Sequence, residues 1–371
     1  MRSDRLEALA RVVVEYSVAV RPGDLCIVEA PAFGAPFLLA VSRRILAAGG
    51  NPVVRVELDG AAEQFVREAS LAALDWVPPV AEIAARVADV RIVLDAEWNA
   101  RSLATADPVR LARRSRAYAP LQKRSLERGA AGELRWVVVG YPTEAAAQDA
   151  CMSLRDYEEL LAATCLLDDP DPVARWREFA VELDRVAAFL GGVRELRFVG
   201  DGTDLRLSVA GRTWQPSSGR ENFPDGEVFT GPLETSVEGT IHFSFPAVYR
   251  GREVNGVRLR FEGGEVVEAT ADSGEEFLHA MIAQDAGARR VGEIAFGLNE
   301  SLQEFTRSTL LDEKIGGTVH LALGASYPET GGVNESGLHW DMVCDLRRGG
   351  EVWADGALVY RDGRFLPGIL E

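Results

Sequence analysis

Lysine is almost missing from this sequence, and cysteine, histidine and long apolar runs are scarce. Each scarcity excludes something. The four cysteines, Cys26, Cys151, Cys165 and Cys344, stand far apart with no C-x-x-C pair, so a disulfide framework or a cysteine zinc cage has no support. Cys26 sits within an apolar strand pattern, where buried free thiols are common, and a reducing compartment fits. No apolar run approaches the roughly 18–20 residues needed to span a bilayer, so no membrane partner is expected. Met1-Arg2-Ser3-Asp4-Arg5 leads into an amphipathic helix rather than a short apolar segment, which argues against a secretory leader and for the cytoplasm. Positive charge is in deficit too, with 40 Lys and Arg against 57 Asp and Glu and a net charge of −17. A field of that sign repels phosphate backbones, so nucleic acid is not an expected partner. The richest basic stretch, residues 110–128, reads as the solvated face of a helix. Only two of the cations, Lys123 and Lys314, are lysine.

What is present is ample for folding. The chain has 371 residues and is 47% hydrophobic, enough for two ordinary domains with buried cores. The first half alternates helix and strand patterns. Residues 4–20 predict a helix, with Asp4-x-x-Glu7 resembling a capping box and Leu6, Leu9, Val13 and Tyr16 at helical spacing. Strands are predicted at 25–30, 52–58, 90–95 and 134–140, with a helix at 36–48 that ends on Gly49-Gly50. Near-continuous apolar strands between helices imply a Rossmann-like α/β domain with a parallel sheet covered on both faces. The first strand–helix turn, Glu29-Ala30-Pro31-Ala32-Phe33-Gly34, has neither G-x-G-x-x-G nor a G-K-[ST] ending, so it is not expected to hold a nucleotide. A helix at 172–190 stops at Gly191-Gly192, and from 193 onward short β segments take over, interrupted by one helix at 274–284. The expected division is therefore an α/β domain over 1–190 and a β-rich α+β domain over 191–371.

Chemistry concentrates in the second half, which holds all four histidines, 242, 279, 320 and 339. His339-Trp340-Asp341 places two ligand-type side chains on one face of a strand, if it is a strand. His320, within Thr318-Val319-His320-Leu321-Ala322-Leu323-Gly324, is either a satisfied core residue or a ligand. Tyr327 is a packed loop tyrosine or a participant. Glu227 and Glu293 each follow a glycine at the head of an apolar strand, where an ionised carboxylate needs a metal or an arginine partner. His242 is assigned to structure. Together the two Glu, two His, one Asp and one Tyr supply donors for two borderline divalent ions.

Three segments carry a resemblance. They are Asn222-Phe223-Pro224-Asp225-Gly226-Glu227-Val228-Phe229-Thr230, then Gly292-Glu293-Ile294-Ala295, and then Leu311-Asp312-Glu313-Lys314-Ile315-Gly316-Gly317-Thr318-Val319-His320 running on to His339-Trp340-Asp341. In order and spacing they resemble the aminopeptidase T family, the M29 metallopeptidases, and the likeness extends over essentially the whole chain. It implies Glu227, Glu293, His320, Tyr327, His339 and Asp341 as metal-site positions. It also implies two zinc or cobalt ions (manganese or magnesium being alternatives), short peptides as substrates, and a homodimer. The 327–339 loop is shorter than the family pattern. Glu227 or Glu293 is the expected general base, and Tyr327 either ligates or donates a hydrogen bond to the tetrahedral oxyanion. The competing expectation is a ring-cleaving dioxygenase on the same scaffold, with one iron on His320, His339 and Asp341. Lys314 reads as a surface lysine or as a retained compact charge beside a ligand.

Overall fold

The computed structural model describes residues 1–249 and 251–370, and their contacts divide into two compact units. The first unit, Met1–Arg177 with Gly219–Pro224, is built on a five-stranded sheet. Its strands run in the order Asn51–Glu57, Leu25–Pro31, Val90–Asp95, Arg135–Gly140 and Asn222–Phe223, every neighbouring pair parallel. The apolar run Cys26-Ile27-Val28 is buried on both faces because helices follow the strands. Glu29 is the exception, and it is buried between Arg55 and Arg91 from the flanking strands, which offsets the cost of its charge. The first helix spans Ser3–Val12 and runs on through a π turn, Val13–Ser17. Its start lies two residues earlier than the capping box requires: Arg2, not Asp4, is the N-cap and no side chain caps it. Glu7 instead pairs with Arg43 on the next helix. The basic helix Pro108–Ala130 contains no buried residue, in keeping with a solvated face. No helix among the described residues is long and apolar enough to cross a membrane.

The second unit, Glu178–Ser218 with Asp225–Glu371, is rich in antiparallel β structure. An eight-stranded sheet includes Glu195–Gly200, Thr203–Ser208, Glu351–Ala354 and Ala357–Arg361. A five-stranded sheet has the order His339–Asp345, Thr318–Gly324, Val291–Gly297, Glu227–Thr230, Gln215–Ser217. Phe296 of the smaller sheet meets Phe198, Tyr360 and Phe365 at ring separations of 6.1, 5.6 and 5.5 Å. Phe198 and Phe296, both fully buried, each contribute roughly 1.5–3 kcal/mol. Every residue of Val291–Gly297 and Thr318–Gly324 is buried. One face of the smaller sheet is thus fixed by apolar packing, and alternation sends the remaining side chains to the other face.

Candidate metal centre

That other face carries the acids and histidines. Period-two alternation puts Glu293, Ala295 and Gly297 on it, and cross-strand partners share a face. Glu227 pairs with Gly297, His320 with Ala295, Asp341 and Glu293 with Ala322, and His339 with Gly324. Five side chains from four strands therefore converge, each set opposite an alanine or glycine that leaves room for it. A register irregularity between Val291 and Glu293 re-aims the glutamate. Gly292 at that bulge admits no Cβ, which would lie 2.2 Å from the Ala325 carbonyl oxygen. Glu293 is consequently the third residue of its strand, whereas Glu227 does head its own.

Both histidines are oriented by the backbone. His339 Nδ1 lies 2.9 Å from the Ala325 carbonyl oxygen, and His320 Nδ1 lies 3.2 Å from that of Glu313. Donation from Nδ1 leaves Nε2 of each ring turned toward the carboxylates, the arrangement that prepares imidazole for a metal. Glu293 sits between the two: its Oε1 is 3.1 Å from His320 Nε2 and its Oε2 is 3.3 Å from His339 Nε2. His320 Nε2 also lies 3.5 Å from Glu227 Oε2, and His339 Nε2 lies 3.4 Å from Asp341 Oδ1. Two overlapping groups result, Glu227–Glu293–His320 and Glu293–His339–Asp341, the ligand atoms of each within 4.8 Å of one another.

Tyr327 is brought to the same place by the turn Pro328–Thr330, where Thr330 Oγ1 donates to the Tyr327 carbonyl at 2.7 Å. Its ring packs edge-on against Phe229 and His339, at 5.4 and 5.1 Å. His242 and His279 are elsewhere; His279 Nε2 contacts the Ala269 carbonyl at 2.8 Å. Two neighbours join that the sequence did not put in the centre. Glu313, half-buried, hydrogen bonds with Asp341, and Lys314, 1% exposed, is no surface lysine. Its ammonium sits 3.0 Å from Glu227 Oε1 and pairs with Glu313. A hydrophilic Asp-Glu-Lys run looks solvated in sequence; the rarity of lysine was the available signal.

The electrostatics follow from burial and crowding. Burial lowers the basicity of His320, but the hydrogen bond to Glu293 and the charge of Glu227 outweigh it and push the imidazole pKa up to about 9. Burial likewise opposes His339, which Asp341 and Glu293 push up to about 12. Burial tends to raise the pKa of Glu293 and Asp341, yet the histidines hold both below the ordinary carboxylate range. Glu313 is pushed well above it, by burial first. Burial of its hydroxyl end, then Glu293 and Asp341, keep the Tyr327 phenol protonated, although the residue as a whole is 41% exposed. The donor set, carboxylates and imidazoles, suits a borderline divalent ion. Glu227 Oε2 is buried with no hydrogen-bond donor, an orphaned acceptor that a cation would satisfy.

Comparison with known proteins agrees with this chemistry. The family model described as thermophilic metalloprotease (M29) matches residues 2–365. Aminopeptidase 2 of Geobacillus stearothermophilus is 27% identical over 97% of each chain. Aminopeptidase T of Thermus thermophilus is 28% identical over 98% of this chain and 96% of its own. Among solved structures, wild-type AmpT from Thermus thermophilus superposes with a TM-score of 0.85 at 27% identity, covering 98% of this chain and 99% of that one. The 2,5-dihydroxypyridine dioxygenase of Pseudomonas putida KT2440 shares the fold, with a TM-score of 0.64 at 15% identity over the whole of both chains.

Proposed function

This chain belongs to the thermophilic metalloprotease (M29) family, and from that premise we propose that it removes N-terminal residues from short peptides at a pair of divalent ions. It is a metallo-aminopeptidase. The observation that carries the two-ion proposal is the division of Glu293, one carboxylate oxygen facing each histidine. A carboxylate so placed can serve two groups at once, with Glu227 and His320 completing one and His339 and Asp341 the other. When bound, divalent ions activate water and polarise a peptide carbonyl. The chain's own residues supply the rest. Glu227 or Glu293 accepts a proton from the attacking water, with Glu313, paired with Lys314, a third carboxylate beside them. Tyr327, kept protonated by its surroundings, either ligates or donates a hydrogen bond to the tetrahedral oxygen. The excess of acids attracts the free α-amine of a peptide, which favours an exopeptidase. Zinc or cobalt suits the donor set, with manganese or magnesium as alternatives. A cytoplasmic homodimer belongs to the same proposal.

The test is metal content by mass spectrometry together with release of leucine from a leucyl substrate. Two divalent ions per chain with amino-acid release is the expected result. One iron per chain with oxygen consumption on an aromatic diol would replace this proposal by the dioxygenase. In the structure His320 and His339 fall in different triads, which favours the peptidase.

A further inference from the structure

We propose that Lys314 is a positioning residue: a built-in cation that holds Glu227 by one carboxylate oxygen and leaves the other free for a metal. Lys314 is one of two lysines in a chain with 40 basic side chains, and the other, Lys123, is largely exposed near Glu127. Its backbone is locked on both sides. The Lys314 N–H donates to the Leu311 carbonyl at 2.9 Å, and its carbonyl accepts from Asn299 N–H at 3.0 Å. The side chain then runs inward to Glu227 Oε1, at 3.0 Å, and to Glu313, with the charge of Asp225 adding to the attraction. Glu227 Oε2, which no donor reaches, is left pointing toward His320 Nε2 at 3.5 Å. One oxygen is thereby committed and the other presented.

Lysine suits this task and arginine does not. An ammonium is a point charge that takes one oxygen, whereas a guanidinium fork engages both oxygens of a carboxylate. An arginine would occupy the oxygen that the site needs free. Lys314 also adds a fixed cation on the Glu227 and Glu313 side of the cluster, away from the two imidazoles, where the acids would otherwise repel each other when no metal is bound. The inference rests on Glu227 being a metal ligand, but its first measurement needs no metal.

The experiment compares thermal unfolding of metal-stripped wild type, Lys314→Met and Lys314→Met/Glu227→Gln. Losing one partner of a buried pair should lower the melting temperature of the metal-free Met variant on the order of 10 °C. Neutralising Glu227 in the double variant should recover at least half of that loss, which a purely packing role for the lysine would not allow. Equal losses in the single and double variants overturn the proposal, as does a single variant as stable as wild type. Lys314→Arg supplies the second readout. It keeps the charge, so its metal-free melting point should stay near wild type, while zinc affinity measured by competition with a chelating dye falls about tenfold or more. Unchanged zinc affinity in a folded Arg variant sinks the positioning role. Wild type that binds no zinc at all would instead defeat the metal-site proposal while leaving the metal-free comparison valid.

Discussion

Glu293→Gln removes the charge shared by the two histidines while nearly preserving shape, and its consequences can be worked from the geometry. In the metal-free protein the rise of His320 from 6.5 to about 9 corresponds to roughly 3 kcal/mol of net preference for the charged imidazole. The hydrogen bond to Glu293 is the largest contribution favouring that charge, so the substitution should lower the His320 pKa by about 1–2 pH units. An amide also places one NH2 where a carboxylate oxygen faced an imidazole, at 3.1 or 3.3 Å, and nitrogen there cannot ligate. One triad keeps an oxygen and the other loses it. We therefore expect one ion to be held normally and the second to be lost, with leucyl-substrate turnover down about 100-fold or more. The assays are histidine titration by NMR in stripped protein, metal stoichiometry by mass spectrometry, and release of leucine. A folded variant that keeps two ions and turns over within a few-fold of wild type would refute the shared role of Glu293.

Three other outcomes are expected. Chelation should abolish activity and zinc or cobalt should restore it; full activity in thoroughly stripped protein contradicts the metallopeptidase mechanism. His339→Ala should lose metal and activity while remaining folded, whereas His242→Ala should keep its metal, and elemental analysis showing equal loss in both removes the assignment. The third concerns pH. Both histidines have folded pKa values above 6.5, so in stripped protein their stabilisation is fully present below pH 6.5 and is lost as pH rises through about 9 and on toward 12. Metal must displace those same protons, so zinc affinity should climb between pH 6.5 and 9 as the melting temperature of the stripped protein falls; competition titrations showing pH-independent affinity would count against both histidines as ligands.

Much of this was legible in sequence because it is written as interruptions. Alternating apolar runs and helix patterns announce the parallel sheet, since stretches such as Leu25-Cys26-Ile27-Val28 and Ile92-Val93-Leu94 are continuously apolar. Glu227, Glu293 and His320 stand out because each breaks an aliphatic run, where an ionisable group is costly unless something holds it. What escaped is what depends on depth and pairing. Asp4-x-x-Glu7 has the letters of a capping box, but the helix begins at Ser3 and Glu7 finds Arg43 instead. The strand Asn222–Phe223 is too short to announce itself, yet it completes the first sheet beside Arg135–Gly140. Lys314 reads in sequence as a surface lysine or a retained compact charge, and its depth appears only with its backbone bonds to Leu311 and Asn299 and its contact with Glu227.

The residues that make the centre possible are the least conspicuous in the sequence. Ala295, Gly297, Ala322 and Gly324 bear no chemistry, and in isolation an alanine or glycine within a strand only weakens it. Their meaning appears with the register, which sets each of them beside a ligating side chain. Directly opposed residues in antiparallel strands hold their Cβ atoms about 4.5–5.5 Å apart, too close for a second large side chain beside a carboxylate that must turn toward the centre. A valine at Gly297 or Ala322 would favour the strand locally and crowd the carboxylates opposite. The local preference of the strand is given up where the five side chains need room, while the opposite face, with Ile294, Phe296, Val319, Leu321 and Leu323, retains it and holds the sheet in place. One face is therefore selected for packing and the other for space, and a one-residue slip in register would exchange them, burying the acids against Phe198 and Tyr360 without partners.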